Sequence, residues 1–153
     1  MADTAASRLQ ALGVVLPAPP APQANYVPTV TVGRLVFVSG QVSIGEGGRY
    51  VGKVGRDYTV EQGREAARVC AINLLANLAA AAGDLEKIAQ LVKLTGFVNC
   101  PGDFDEPHKV VNGASDFLVE VLGERGRHAR SAIGVATLPL GAAVEIEAIA
   151  EVA

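Results

Sequence analysis

The chain has 153 residues, with 13 lysines and arginines against 16 aspartates and glutamates, so its formal net charge is −3. This length fits one domain. The small negative charge provides no field that would gather a nucleic-acid backbone, so a dedicated nucleic-acid-binding role is disfavoured. Apolar residues make up 50% of the chain and aromatic residues only 5%, which predicts a core packed mainly from Ala, Val, Leu and Ile.

The cysteines and histidines show no metal-binding or disulfide pattern. Cys70 and Cys100 are far apart and form no CxxC pair, which argues against a disulfide framework or a structural zinc site. His108 and His128 also lack metal-ligand spacing. The apolar stretches are too short for a signal peptide or a membrane span. We therefore expect a cytoplasmic protein with reduced thiols and no membrane association.

The N-terminal part divides into an arm and a hairpin. A short amphipathic segment, 3–13, predicts a helix, and the Pro-rich stretch that follows it cannot form regular structure. Two β-branched or apolar runs, separated by Gly33-Arg34, then predict a β-hairpin. These runs are 29–32 and 35–39. A Gly-rich stretch leads to a third short strand near 49–51.

Two helices and a long strand follow. Thr59 and Gln62 have the spacing of a capping box, which opens a long helix that Gly83 can end. Alternating residues over 89–100 predict a strand. Apolar residues at helical spacing predict a second helix over 107–122, with Gly123 as its stop.

The last two predicted strands, 130–137 and 143–152, complete the order β-β-β-α-β-α-β-β. This order favours an α+β fold in which two helices cover one face of a mixed sheet. In the last strand, Glu145 and Glu147 share the face opposite Val144. Unpaired carboxylates cannot lie in a dry core, so this second face must be solvent, an interface groove or a site.

The C-terminal segments carry the most informative residues: Arg130-Ser131-Ala132, Leu138-Pro139 and Glu145-Ile146-Glu147-Ala148-Ile149-Ala150. Here the sequence resembles the RidA (YjgF-like) family. Upstream, Ser39-Gly40-Gln41, Tyr26 and Asn112 fall where that family has its Ser-Gly-Gln segment, its N-terminal Tyr and its helix Asn. The resemblance covers about residues 25 to 152. It divides the chain into an N-terminal helix and Pro-rich arm, 1–24, and a RidA-like domain, 25–153.

The resemblance implies a chorismate-mutase-like fold and a homotrimer with three clefts between subunits. It also implies a hydrolase that deaminates small enamines and imines, such as 2-aminoacrylate, to 2-keto acids and ammonia, with no metal or organic cofactor. The substrate would carry a carboxylate. Arg130 and Glu145 would be catalytic, and the substrate-binding residues would be Tyr26, Ser39, Gly40, Asn112 and Ala132.

The residues themselves are compatible with these roles but leave alternatives open. Arg130 shares a strand face with Ala132 and Gly134, so its guanidinium could hold a ligand carboxylate; otherwise it lies in solvent or in an ion pair. Glu145 could hold or activate water, or it could pair with Arg130 or Lys93.

The binding residues also have structural alternatives. Tyr26 could be an ordinary half-buried tyrosine. Ser39 and Gly40 end a strand where backbone can approach closely, and Asn112 lies on an apolar helix stripe where an amide needs partners.

Two departures from the family pattern leave the substrate open: His128 replaces a common Pro, and Ala132 replaces a frequent Cys. A non-catalytic module that senses small carboxylates is therefore an alternative. An RNA-cleaving translation inhibitor is a third, since Arg125, Arg127, His128 and Arg130 form a basic cluster, but the acidic balance and the few aromatic residues make it the least favoured.

Overall fold

The computed structural model describes residues 2–19, 21 and 24–153. It is an α+β fold with a mixed sheet, as predicted. The helices are α1 (Ala5–Ala11), α2 (Val60–Ala82) and α3 (Pro107–Leu122). The strands are β1 (Thr29–Val32), β2 (Leu35–Val42), β3 (Ile44–Gly45), β4 (Gly48–Arg49), β5 (Ile88–Asn99), β6 (Ala129–Val135) and β7 (Val144–Val152).

Five strands form the main sheet in the order β1-β2-β7-β5-β6. Strands β5 and β6 run parallel and the other neighbours antiparallel. The predicted third strand is wrong in place and extent: β3 and β4 form a separate small hairpin, and Val51 makes only an isolated bridge to Ala142. Positive φ angles at Gly48 (144°) and Gly52 (140°) turn the backbone here and prevent a longer extended run.

The predicted capping box opens α2. The Thr59 side chain accepts a hydrogen bond from the Gln62 backbone N–H (3.2 Å), and the Gln62 side chain accepts one from the Thr59 N–H (2.9 Å). Gly83 ends the helix in the left-handed conformation. By length and composition α2 could cross a membrane, but 67% of its apolar window is buried inside the protein, as expected of a core helix. The cytoplasmic location remains a prediction.

Helix α3 has the predicted bounds and packs closely on α2. A methyl group at Gly113 would come within 2.1 Å of the Arg64 carbonyl oxygen, so only glycine allows this approach. Buried side chains of α3, including Val110, Phe117 and Leu118, complete the core. The two helices together cover one face of the sheet, which fixes where α3 lies relative to β6.

Helix α1 adds a third helix to the two that were predicted to cover the sheet. Its residues Ala5 and Leu9 are buried. The Glu86 carboxylate accepts a hydrogen bond from the Ala5 N–H (2.6 Å), and Arg8 donates to the Val121 carbonyl (3.2 Å). These contacts fix α1 against the end of α3.

The sheet face opposite the helices, which we call the open face, is largely uncovered. Along β7, Val144, Ile146 and Ala148 are buried, whereas Glu145 and Glu147 point the other way. Exposed apolar side chains lie on the same open face, on β1, β2 and β6. They are Val30, Val32, Leu35, Phe37 and Ile133.

Candidate functional site

Glu145 and Gly40 form the first cluster of predicted site residues. The pairing of β2 with β7 shifts between Val38 and Gln41, so Ser39 and Gly40 form a β-bulge. A methyl group at Gly40 would come within 2.3 Å of Glu145 Oε1. The carboxylate therefore lies against the bulge, in space that only a glycine leaves free.

The environment of Glu145 favours its protonated form. Burial raises the pKa of this carboxyl, and the negative charge of Glu147 raises it further. The alternative partners point elsewhere: Lys93 Nζ donates to Ser131 Oγ (3.3 Å), and Arg130 bonds to α3. Glu145 thus has the properties of a general acid or base.

Ser39 fixes the bulge to the segment before β1. Its hydroxyl donates to the Val27 carbonyl (2.8 Å), and its backbone N–H donates to the Pro28 carbonyl (2.9 Å). Tyr26 directly precedes these residues and is 53% exposed, so its role as a binding residue stays a prediction beside the alternative of an ordinary half-buried tyrosine. Tyr26, Ser39, Gly40 and Glu145 thereby belong to one region, which we call the Glu145 cluster.

A cavity of about 360 Å³ adjoins this cluster on the open face. Gly40 lines it and also contacts the Glu145 carboxylate. Glu147 contributes the second carboxylate. The other lining residues are Val30, Phe37, Val38, Ser39, Ala148 and Ile149.

Arg130 forms a second cluster with α3. Its Nη1 donates to Asn112 Oδ1 (2.8 Å) and Ser115 Oγ (3.1 Å), and its Nη2 donates to the His108 carbonyl (3.3 Å). These acceptors are neutral, and among residues 2–19, 21 and 24–153 no carboxylate pairs with Arg130. The guanidinium is therefore oriented while its positive charge stays available to a ligand.

Two further members of this Arg130 cluster, Ser115 and His128, were not predicted as site residues. His128 Nε2 lies 2.9 Å from Ser115 Oγ, and His128 Nδ1 lies 2.6 Å from the Gly126 carbonyl oxygen. Burial lowers the pKa of His128, and the charge of Arg130 lowers it further. The three-residue spacing of Asn112 and Ser115 on α3 was a usable signal, but the approach of His128 depends on tertiary packing.

Ala132, the remaining predicted binding residue, is half-buried and packs against the core. It follows Arg130 on the same strand face. A buried thiol lies near Gly134, the next residue on this strand face. The Cys100 sulfur would be 2.8 Å from a methyl group added at Gly134. Burial raises the pKa of Cys100, which favours the neutral thiol.

The basic cluster is largely bonded within the chain. Arg125 donates to the Ile88 carbonyl (2.7 Å) and approaches Glu86 (3.4 Å). Arg127 pairs with Glu124 at 3.1 Å. The basic side chains of this region are therefore partly neutralised, in contrast to a patch that binds phosphates.

The two clusters lie on opposite faces of the sheet. Arg130 pairs in register with Leu94, which in turn pairs with Ala148 on β7, and the side chains of Leu94 and Ala148 are buried under the helices. Glu145 is in register with Phe97 on the open face. A single chain therefore does not bring Arg130 and Glu145 together.

The chain is similar to known proteins both in sequence and in fold. Residues 6–152 match the family described as YjgF/chorismate mutase-like, putative endoribonuclease. The similarity therefore starts within α1, earlier than the residue 25 that the motifs indicated. The division at residue 24 stays a prediction.

Individual relatives are similar over most of their length. Protein TCP17 of Trypanosoma cruzi is 48% identical over 148 residues, which are 95% of this chain and 92% of the relative. The crystal structure of Atu1372 from Agrobacterium tumefaciens is 48% identical, with a TM-score of 0.91 over 99% of this chain and 94% of that one. The structure of Escherichia coli TdcF with bound serine is 26% identical, with a TM-score of 0.65 over 89% of this chain and 94% of that one. The chain thus belongs to the YjgF/RidA family.

Proposed function

We propose that this protein hydrolyses small enamine and imine intermediates, such as 2-aminoacrylate, to 2-keto acids and ammonia in clefts between the subunits of a homotrimer. One observation carries the proposal: an oriented, unneutralised arginine and a half-buried carboxyl with a raised pKa occupy the positions of the family's functional residues. The first suits a substrate carboxylate, and the second suits proton transfer at the reacting carbon.

A homotrimer would allow the two clusters to meet. In one chain they lie on opposite faces, and the open face carries exposed apolar side chains such as Phe37 and Ile133. Exposed large apolar side chains grouped on one face of a sheet are typical of an interaction site. We infer that a neighbouring subunit covers it, so that the Arg130 cluster of one subunit faces the Glu145 cluster of the next.

Arg130 would anchor the substrate. Three of the five guanidinium N–H donors are used by Asn112, Ser115 and the His108 carbonyl, and two remain for a ligand. Two donors suit the two oxygens of a carboxylate. The serine bound to TdcF is a small molecule with such a carboxylate, which supports this ligand class here.

Glu145 would serve the hydrolysis. After the enamine becomes an imine, water adds to the C=N carbon, and the carboxylate accepts the proton that this water loses. The same group returns this proton to the nitrogen, which gives a carbinolamine. It then accepts the proton of the new hydroxyl group and passes it to the nitrogen, so the C–N bond breaks as the C=O bond forms, and ammonia leaves the 2-keto acid. A carboxyl with a raised pKa is suited to these transfers, because its protonated form persists to higher pH than that of an ordinary carboxyl.

A non-catalytic carboxylate-binding trimer is the second candidate. The Arg130 cluster could bind a ligand without turnover, and Ala132 lacks the thiol that many relatives have. An endoribonuclease, the activity in the family description, is less favoured because the internal pairing of Arg125 and Arg127 reduces the charge available to RNA.

The test is a coupled assay with a dehydratase that generates 2-aminoacrylate from serine. We expect the protein to accelerate release of ammonia and pyruvate. Glu145→Gln should bind pyruvate but turn over roughly 10²–10⁴-fold more slowly, whereas Glu147→Gln should reduce the rate much less. Pyruvate binding without any acceleration by the wild type would favour the binding trimer.

A further inference from the structure

We propose that Ser115 and His128 are positioning residues, which orient the Arg130 guanidinium for the substrate carboxylate. This inference rests on the proposed function, in which Arg130 is the carboxylate anchor. Neither residue was identified from the sequence, and His128 stands where the resemblance leads one to expect proline.

The hydrogen bonds around His128 fix its tautomer. The Gly126 carbonyl at 2.6 Å can only accept, so His128 Nδ1 carries the proton and Nε2 has a free lone pair. The Ser115 hydroxyl at 2.9 Å must then donate to Nε2. A backbone carbonyl thus determines the direction of the bond between the two side chains.

This direction determines what Ser115 offers to Arg130. With its own proton committed to His128, the Ser115 oxygen is left as an acceptor, and Arg130 Nη1 donates to it at 3.1 Å. The same Nη1 donates to Asn112 Oδ1 at 2.8 Å. Two fixed acceptors on one nitrogen hold the plane of the guanidinium, and two other N–H groups stay available to a ligand.

Protonation of His128 would disturb this arrangement. The imidazolium would donate from Nε2 to Ser115 Oγ, and the serine proton would need another acceptor. It would also place a second positive charge close to Arg130, the charged group that acts on His128 here. Three polar groups act on the His128 ring: the Ser115 hydroxyl on α3, the Gly126 carbonyl in the turn after α3, and the Arg130 charge on β6. Neutral His128 therefore supports the orientation of Arg130, and charged His128 opposes it.

The first test is pyruvate binding by calorimetry as the pH is lowered from 8 through and below the ordinary histidine value of 6.5, because the pKa of His128 is lowered. We expect the wild-type affinity to fall about tenfold as His128 becomes protonated, the loss of one hydrogen bond to a charged group. His128→Gln offers an amide oxygen to Ser115 and cannot titrate. The variant should therefore bind pyruvate as tightly as the wild type at pH 8, and it should not show the loss of affinity that protonation of His128 causes. His128→Phe fills the space without an acceptor and should bind weakly at both pH values.

The second test needs neither ligand nor turnover. ¹⁵N NMR should show His128 protonated on Nδ1 at pH 8, and the Arg130 Nη signals should show slow rotation that becomes faster in Ser115→Ala and His128→Phe. Unchanged Arg130 rotation in both variants, or the opposite tautomer, would overturn the inference even if the protein is an active deaminase. Slow rotation that depends on His128 in a protein that binds no pyruvate would uphold the positioning and contradict the proposed function.

Discussion

The Glu145 carboxylate lies directly against Gly40, where a methyl group would come within 2.3 Å of Oε1. Gly40 is not in the left-handed region of φ, so its replacement by alanine tests this contact alone. We expect Gly40→Ala to displace the carboxylate and to reduce turnover by roughly 10²-fold, toward the effect of losing a general acid or base.

Gly102→Ala is the matched control, because no atom lies within 4 Å of its added methyl group. It should leave the rate unchanged. A Gly40→Ala protein with the wild-type rate would show that Glu145 does not act from the position seen here. In a protein that already carries Glu145→Ala, the side-chain atoms that the Gly40 methyl group would meet are absent. There Gly40→Ala should lower the free energy of unfolding only slightly, because the effects of the two substitutions are not additive.

Glu145 should also make stability depend on pH. Its pKa is raised in the folded chain, so the unfolded chain loses this proton first, and folding stability falls as pH rises from the ordinary value of 4.5 through the folded value. Glu145→Gln removes this effect. We expect the variant to have a higher melting temperature than the wild type at pH 8 and an equal one at pH 4. A lower melting temperature at pH 8 would indicate that the charged carboxylate stabilises the fold.

The local patterns predicted most of the fold. The capping box at Thr59, the bounds of α3 and the alternation along β7 are set by residues close in sequence, and all three are confirmed. The predicted third strand was wrong because glycines with positive φ turn the chain at positions 48 and 52. The packing of α1 depends on Glu86, far away in sequence, and no local pattern shows it.

The site could be predicted only as a set of residues. The motifs indicated Arg130 and Glu145, and alternation along the last strand predicted which face carries Glu145, but alternation within single strands cannot relate that face to the face that carries Arg130 on another strand. The register shows that the two side chains point to opposite faces. Likewise, the contact between Ser115 and His128 joins a helix to the turn before an edge strand, and periodicity does not reveal such contacts.

The open face leads to a prediction about assembly. Phe37 is 41% exposed in the single chain and lies beside the cavity, and we expect a neighbouring subunit to cover it. Light scattering should give a trimer for the wild type, and Phe37→Asp should lower the mass at micromolar concentration. Val15→Asp, at an 82% exposed position before the Pro-rich spacer, should remain a trimer. A folded wild-type monomer would contradict this assembly.

Arg130 should be needed for binding more than for folding. Arg130→Ala removes hydrogen bonds to Asn112 and Ser115, which should cost about 1–2 kcal/mol of unfolding free energy. Pyruvate binding and turnover should be lost. Arg130→Lys should restore little of either, because a single ammonium cannot replace the fork of donors. A trimer that dissociates or unfolds on Arg130→Ala would instead make the residue structural.

Mixing two inactive variants tests the shared cleft most directly. If Arg130 and Glu145 of one site come from different subunits, each mixed trimer of Arg130→Ala and Glu145→Gln chains contains one site with both native residues. Because about a quarter of the trimers from an equal mixture contain one chain type only, the mixture should reach about one quarter of the wild-type rate. We expect the refolded mixture to release ammonia and pyruvate from 2-aminoacrylate, while each variant refolded alone stays inactive. A mixture that forms trimers and remains as inactive as its parents would contradict the interface site.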